Sequence, residues 1–275
     1  MIEYYFIIYC LFKKLIKMSV VLSHVENGVA FLTLNRPEKI NSFNREMALG
    51  LQAALDECMR NEEVRCIYLT GAGKGFCAGQ DLSEAIDPNG PEIRKIVHGH
   101  YNPIIERLRK IEKPIVAAVR GVAAGAGANI ALACDIVVAS ENASFIQAFS
   151  KIGLIPDSGG TYFLPRLVGF QKAMALMMLA DKISAAEAEQ MGMIYKWFSD
   201  DTFEEESKNI AFKLAQMPTR ALAYTKLALN KSFQNSIEQQ LTLEEDFQDA
   251  CGKTKDFNEG IAAFLEKRKP IFKGK

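Results

Sequence analysis

Three short stretches of this 275-residue chain carry residue types that could do chemistry. In "KIGLIPDSGGTY", residues 151–162, one carboxylate, Asp157, stands among apolar and glycine residues. A carboxylate in such surroundings is a proton acceptor whose basicity rises with desolvation, here by neighbours such as Ile155, Pro156 and Phe163. Asp also closes turns and caps helices, so position alone leaves both roles open. Two glycine-bearing loops, "GAGKGFCAGQDL" and "RGVAAGAGANIALACDI", each follow an apolar strand pattern. In the first, Ala78 and Gly79 can present backbone N–H groups with no bulky side chain in the way. The second runs from Gly125 into a helix at about Ala126, where the first N–H groups lack an intrahelical acceptor and favour negative charge. Together the loops offer a two-donor oxyanion hole, although a helix of small residues serves close packing equally well. Neither is a phosphate loop: "GAGKGF" lacks the G-x-x-x-x-G-K-[ST] spacing, and "GAGAN" lacks the G-x-G-x-x-G context with an acidic ribose ligand.

These stretches need elements to hold them. "VVLSHVENGVAFLTLNRP" alternates apolar and polar residues around Asn27-Gly28, which predicts a hairpin. "NREMALGLQAALDECMRN" has helical spacing with Asn44 as its cap, and "VRCIYLTG" follows as a strand. The spacing next predicts a helix over "EIRKIVHGHYNPIIERLRKIEK", a strand in "PIVAAVRG", the small-residue helix, and a strand in "DIVVAS". Near-continuous apolar strands alternating with helices predict an α/β layered core over residues 18–200. From about residue 169 the pattern is helix after helix, interrupted by "MIYKWF" as a strand, so residues 201–275 read as a helical C-terminal part. The stretch around Met174, Leu176, Met177, Met178 and Leu179 is apolar on more than one face, as a helix buried in a core or against another subunit would be.

Composition narrows the function classes. The 33 basic and 33 acidic residues balance, so no global field recruits nucleic acid or an anionic membrane. The six cysteines lack C-x-x-C spacing and read as reduced core cysteines of a cytoplasmic protein. His98 and His100 form an H-x-H pair that reads as a surface pair, and no metal site is expected. The opening "MIEYYFIIYCLFKKLIKM" places its basic residues after its apolar run and has no small-residue cleavage site. It is also short for a membrane span. Residues 1–17 therefore read as an appendage outside the fold.

The motifs "LTLNRPEKINSFN", "GKGFCAGQDL", "KPIVAAVRGVAAGAGANIALACDI", "IGLIPDSGGTYFLPRLVG", "SAAEAEQMGMI" and "AAFLEKRKPIF" resemble, in order, those of the crotonase, or enoyl-CoA hydratase/isomerase, superfamily. The resemblance covers nearly all of residues 18–275. It implies a spiral of repeated ββα units with a helical C-terminal trimerisation region, and a homotrimer that can pair into a hexamer. It implies an acyl-CoA thioester as substrate, with coenzyme A as part of that substrate and no other cofactor. Carried over motif by motif, the N–H groups of Ala78 and Ala126 would hold the thioester oxygen. Gly79, Asp81, Leu82, Gly125, Asn129 and Phe149 would bind the substrate, and Phe264 and Lys267 would meet the adenine and 3′-phosphate of its CoA. Family hydratases carry two glutamates where this chain has Asn129 and Phe149. The carboxylate left in the motif is Asp157, where isomerases of the dienoyl and ring-epoxide types also carry an acid. The detailed wording is closest to the branch that isomerises the ring epoxide of phenylacetyl-CoA to an oxepin. Alternatives are a Δ3,Δ2-enoyl-CoA isomerase, a hydratase-like enzyme of fatty acid oxidation, an RNA-binding member using the helix with Arg94, Lys95, Arg107, Arg109 and Lys110, and a degenerate catalyst serving only as a structural partner.

Overall fold

The computed structural model describes residues 19–275. The expectation for residues 1–17 lies outside the described residues, as does Cys10. The chain opens on the hairpin β1 (Val21–Glu26) and β2 (Val29–Leu34). Asn27 and Gly28 both have positive φ, 49° and 80°. That conformation matches the turn to the twist of the strands. The helix α1 (Arg45–Arg60) is capped by Asn44, whose side chain accepts the Met47 N–H. It buries Met47, Ala48, Leu51, Leu55 and Cys58 on one face.

After β1 and β2, the main sheet adds β3 (Cys66–Gly71), β4 (Ile115–Val119), β6 (Ile136–Ser140) and β9 (Lys196–Phe198), in the order β1-β2-β3-β4-β6-β9. Only the β1–β2 pair is antiparallel. A second sheet, invisible in the sequence pattern, joins β5 (Val122–Ala124), β7 (Ser144–Ile146) and β8 (Lys182–Ser184). Isolated bridges Cys77↔Ala123 and Phe43↔Gln80 extend it toward the hairpin side. Each turn of the chain thus lays one residue run in the main sheet, a shorter one in the second sheet, and then a helix. This is the ββα spiral.

The helices that close these turns are α2 (Asn102–Lys110), α3 (Ala126–Leu132) and α4 (Gly160–Val168). Ahead of α2 the expected continuous helix contains a π-helical turn, Val97–Tyr101. Gln52 Nε2 donates to the Gly99 and His100 carbonyls there. The turn also corrects the histidine reading. His98 is exposed, but His100 is buried.

The C-terminal helices are α5 (Phe170–Leu179), α6 (Phe203–Gln216), α7 (Thr219–Ser232), α8 (Ile237–Gly252) and α9 (Lys255–Leu265), with the short helix Ala185–Gln190 between α5 and α6. A boundary at residue 200 does not separate two units. Phe203, Ala211 and Ala215 of α6 bury against Phe31, Tyr68, Val116 and Val138 of the main sheet, so α6 is part of the α/β core. In α7, Lys226 reaches the Asp135 carboxylate at 2.9 Å and donates to the Leu108 carbonyl. Arg65 binds Thr219, Met217 and Phe272 and so ties the C-terminal tail down ahead of β3.

Candidate active site

The site is built where the second sheet meets the start of α3. Cys77 pairs with β5 through its N–H to Val122 and its carbonyl from Ala124. Just beyond it, Gly79 turns the backbone with φ +91°. A Cβ at Gly79 would lie 3.0 Å from the Ala124 carbonyl oxygen and 3.5 Å from the Ala126 nitrogen, so the two glycine loops touch at this residue. Their contact is the feature that the spacing suggested but could not distinguish from packing.

The first donor is not the one expected. The Ala78 N–H donates to the Ile40 carbonyl at 2.9 Å and is therefore engaged. The Gly79 carbonyl accepts from the Phe43 N–H at 2.7 Å, and Asp81 N–H donates to the Phe43 carbonyl. In a trans peptide, N–H and C=O point in opposite directions, so the Gln80 N–H faces away from Phe43. It meets no acceptor among the described residues. Gln80 thus replaces Ala78 as the available donor. The sequence signal that could have located it is the strand alternation across Phe43, which a positive φ at Gly79 obscures. The Gln80 side chain is pinned at both ends, accepting from the buried Tyr101 hydroxyl at 2.7 Å and donating to Glu84 at 2.9 Å.

The other N–H that the sequence singled out, that of Ala126, has no partner within its helix, since Ala126 is the first residue of α3. Gly125 precedes it at φ 52°, ψ −125°, a conformation open to glycine alone, and donates to the Ile146 carbonyl. Phe149 is a buried ring 3.8 Å from where a Gly125 Cβ would stand. It gives this side of the loop an apolar wall.

One turn into α3, Asn129 is completely buried. Its Nδ2 donates to the Asp157 carbonyl at 2.9 Å, and its Oδ1 accepts from Gln147 Nε2 at 2.8 Å. Where the sequence placed it as a substrate contact, the structure has its amide oxygen on Gln147 and its amide nitrogen on the carbonyl of the Asp157 turn. The Gly160 N–H also donates to that carbonyl. The helix that begins with a donor therefore fixes the backbone that carries the carboxylate. Burial pushes the Asp157 carboxyl up from its ordinary value, and a 2.8 Å hydrogen bond from the Ser158 hydroxyl partly opposes it. Ile155 takes no part in that burial, being 81% exposed.

Asp81 is likewise structural. One oxygen pairs with Arg36 at 2.8 Å, and the other caps the short helix that Leu82 opens by accepting from Ser83. Leu82 is half exposed at the rim. Phe264 and Lys267 are exposed, and the helix α9 that precedes Lys267 packs on α8. No group of three histidine, cysteine or acidic side chains gathers as a metal site among the described residues. Nor is any helix there long and apolar enough to cross a membrane.

A ββα spiral that sets two backbone N–H donors at touching loops, with a half-buried carboxylate whose main-chain carbonyl is held from the same helix, defines a class of protein. The enoyl-CoA hydratase/isomerase family model matches residues 24–275, and the chain belongs to that family. It is 49% identical over 261 residues to the 1,2-epoxyphenylacetyl-CoA isomerase of Escherichia coli K12, covering 94% of this chain and 100% of the relative. It is 37% identical to the short-chain-enoyl-CoA hydratase of Clostridium acetobutylicum, over 92% of this chain and 97% of that one. The crystal structure of an enoyl-CoA hydratase from Polaromonas sp. JS666 superposes with a TM-score of 0.86 at 35% identity, covering 92% of this chain and 99% of that chain.

Proposed function

We propose that this protein is an acyl-CoA isomerase that converts ring 1,2-epoxyphenylacetyl-CoA to the oxepin, and that it also shifts β,γ double bonds of enoyl-CoA esters to α,β. The observation that carries this reading is the chemistry around the donor loops: Asp157 is the carboxylate held there, while Asn129 and Phe149 stand where hydration would need acids. The similarity to the Escherichia coli isomerase supports the ring-epoxide substrate.

The thioester oxygen accepts from the Gln80 and Ala126 N–H groups. Negative charge that develops on this oxygen is stabilised where it forms, which makes the α-proton removable. Asp157 takes that proton and returns it to another carbon, or assists epoxide opening. Coenzyme A is part of the substrate, and these steps call on no further cofactor. The protein is proposed to act in the cytoplasm as a homotrimer, or a hexamer of paired trimers, with Phe264 and Lys267 serving the CoA end of an adjoining copy's site.

A panel of acyl-CoA esters, including the aryl epoxide, β,γ-enoyl and α,β-enoyl thioesters, tests the reading. Isomerisation of the first two without hydration of the third is expected. Hydratase turnover at a comparable kcat/KM would reverse it.

A further inference from the structure

Ser158 follows Asp157 directly and is buried, with only 2% of its surface exposed. Its backbone sits in the left-handed region at φ 52°, which a serine occupies only with strain. Glycine would take this conformation freely, and indeed Gly159, next in the chain, has φ 73°. The strained serine contributes one specific thing, a hydroxyl that donates to Asp157 Oδ1 at 2.8 Å. The Asp157 carbonyl is meanwhile gripped by the Asn129 amide and the Gly160 N–H, so backbone and one carboxylate oxygen are both anchored. Among the described residues no other side chain hydrogen-bonds or ion-pairs with this carboxylate, and its own backbone N–H is the one further group that favours the ionised form.

We propose that Ser158 is a positioning residue for the base: its hydroxyl holds Oδ1 and leaves Oδ2 as the single oxygen that exchanges the substrate proton. The proposal rests on the reading of Asp157 as the proton carrier. Other charges near this carboxylate are few. Tyr101, ahead of α2, feels the Asp157 charge. Helix α3 has no titratable side chain. Helix α4 presents Tyr162 and Arg166, and the Arg166 guanidinium lies over the Tyr162 ring and donates to its carbonyl. Ser158 is thus the side chain that favours the ionised form.

The test compares Asp157→Asn, Ser158→Ala and Ser158→Gly in β,γ-enoyl-CoA isomerisation across pH. Ser158→Gly removes the hydroxyl and relieves the left-handed strain, so it remains folded even if the alanine variant does not. Its kcat is expected to fall roughly 10–100-fold with KM little changed, as for a reacting group left loose. The acidic limb of its kcat/KM profile moves to higher pH, because the hydroxyl that opposes burial is gone and only the Asp157 backbone N–H still favours the ionised form. A glycine variant with wild-type kcat and an unmoved limb overturns the proposal, provided that Asp157→Asn is inactive. An active Asp157→Asn overturns the base reading and this proposal with it.

Discussion

Asp157 combines two requirements that pull against each other, ionisation for chemistry and burial for basicity. A carboxyl whose pKa is higher folded than unfolded binds its proton more tightly in the folded protein. Stability therefore falls as pH rises from the unfolded value through the folded one, and the full penalty stands above it. Burial raises Asp157 above 3.8, so the wild-type protein carries this penalty at neutral pH. Asp157→Asn is accordingly expected to melt at the same or a higher temperature at pH 7, while kcat drops about 10²–10⁴-fold and the dissociation constant for a CoA ester stays near wild type. Thermal denaturation and turnover measured on one sample check both halves. At Gln80, an amide-to-ester replacement of the Gly79–Gln80 peptide deletes the N–H and keeps the side chain. Its kcat is expected to fall about 10²–10³-fold. The same replacement at the Gly125–Ala126 peptide should match it, whereas at Cys77–Ala78 it should leave kcat within a few-fold and lower only stability. The positions of the Asp157 carboxylate and of the Ala126 N–H at a helix start were legible as residue types in a pattern. Gln80 was not, because which of several adjacent N–H groups is free depends on Phe43, which lies far back in the sequence on the other side of α1. Asn129 read as a pocket residue because an amide in a missing acid's position carries no sign of which internal groups it binds.

At the scale of elements, the site depends on how closely α3 lies on the bridge residue Cys77. A Cβ at Gly127 would stand 2.6 Å from Cys77 Cβ, Sγ and carbonyl oxygen at once. There is no flexible side-chain end to give way. Gly127→Ala is expected to lose about 1–3 kcal/mol in urea denaturation, the usual penalty of overpacking. Any folded fraction should show reduced kcat, because the segment displaced is the one that leads into Gly79 and Gln80. Sequence pattern was informative for elements long enough to show a period. The hairpin, α1, the main-sheet strands and the C-terminal helices all stand where apolar spacing placed them. The second sheet escaped, since β5, β7 and β8 have three residues each. That length is too short for alternation to show, although it is this sheet that draws the two loops together. The π-helical turn escaped for a related reason: its apolar spacing is helical on both sides, and the extra residue is revealed only by the carbonyls that Gln52 meets.

For the whole molecule, the apolar surface left uncovered by one chain is concentrated in the C-terminal half. Met178, Leu179, Phe233, Ile237, Leu241 and Phe264 are all exposed, and α8 has no buried residue. Surface of this extent is uncommon on a protein that works as a single chain. Sedimentation is expected to show a trimer or its multiple, and Phe233→Asp with Leu241→Asp is expected to shift it toward the single chain. A monomeric wild-type protein at micromolar concentration would count against the proposed assembly. The main sheet has one further consequence. Its outermost strand, β9, is three residues long and carries Trp197, the one tryptophan of the chain, paired opposite Ala139 of β6. Short edge strands open at lower free energy than the strands inside a sheet. Emission excited at wavelengths that spare the eight tyrosines is therefore a local signal from this edge strand. In a urea titration the emission of Trp197 is expected to change before the helical circular dichroism does, so that the spectrum reports fraying at the margin while the spiral that carries the site is still intact.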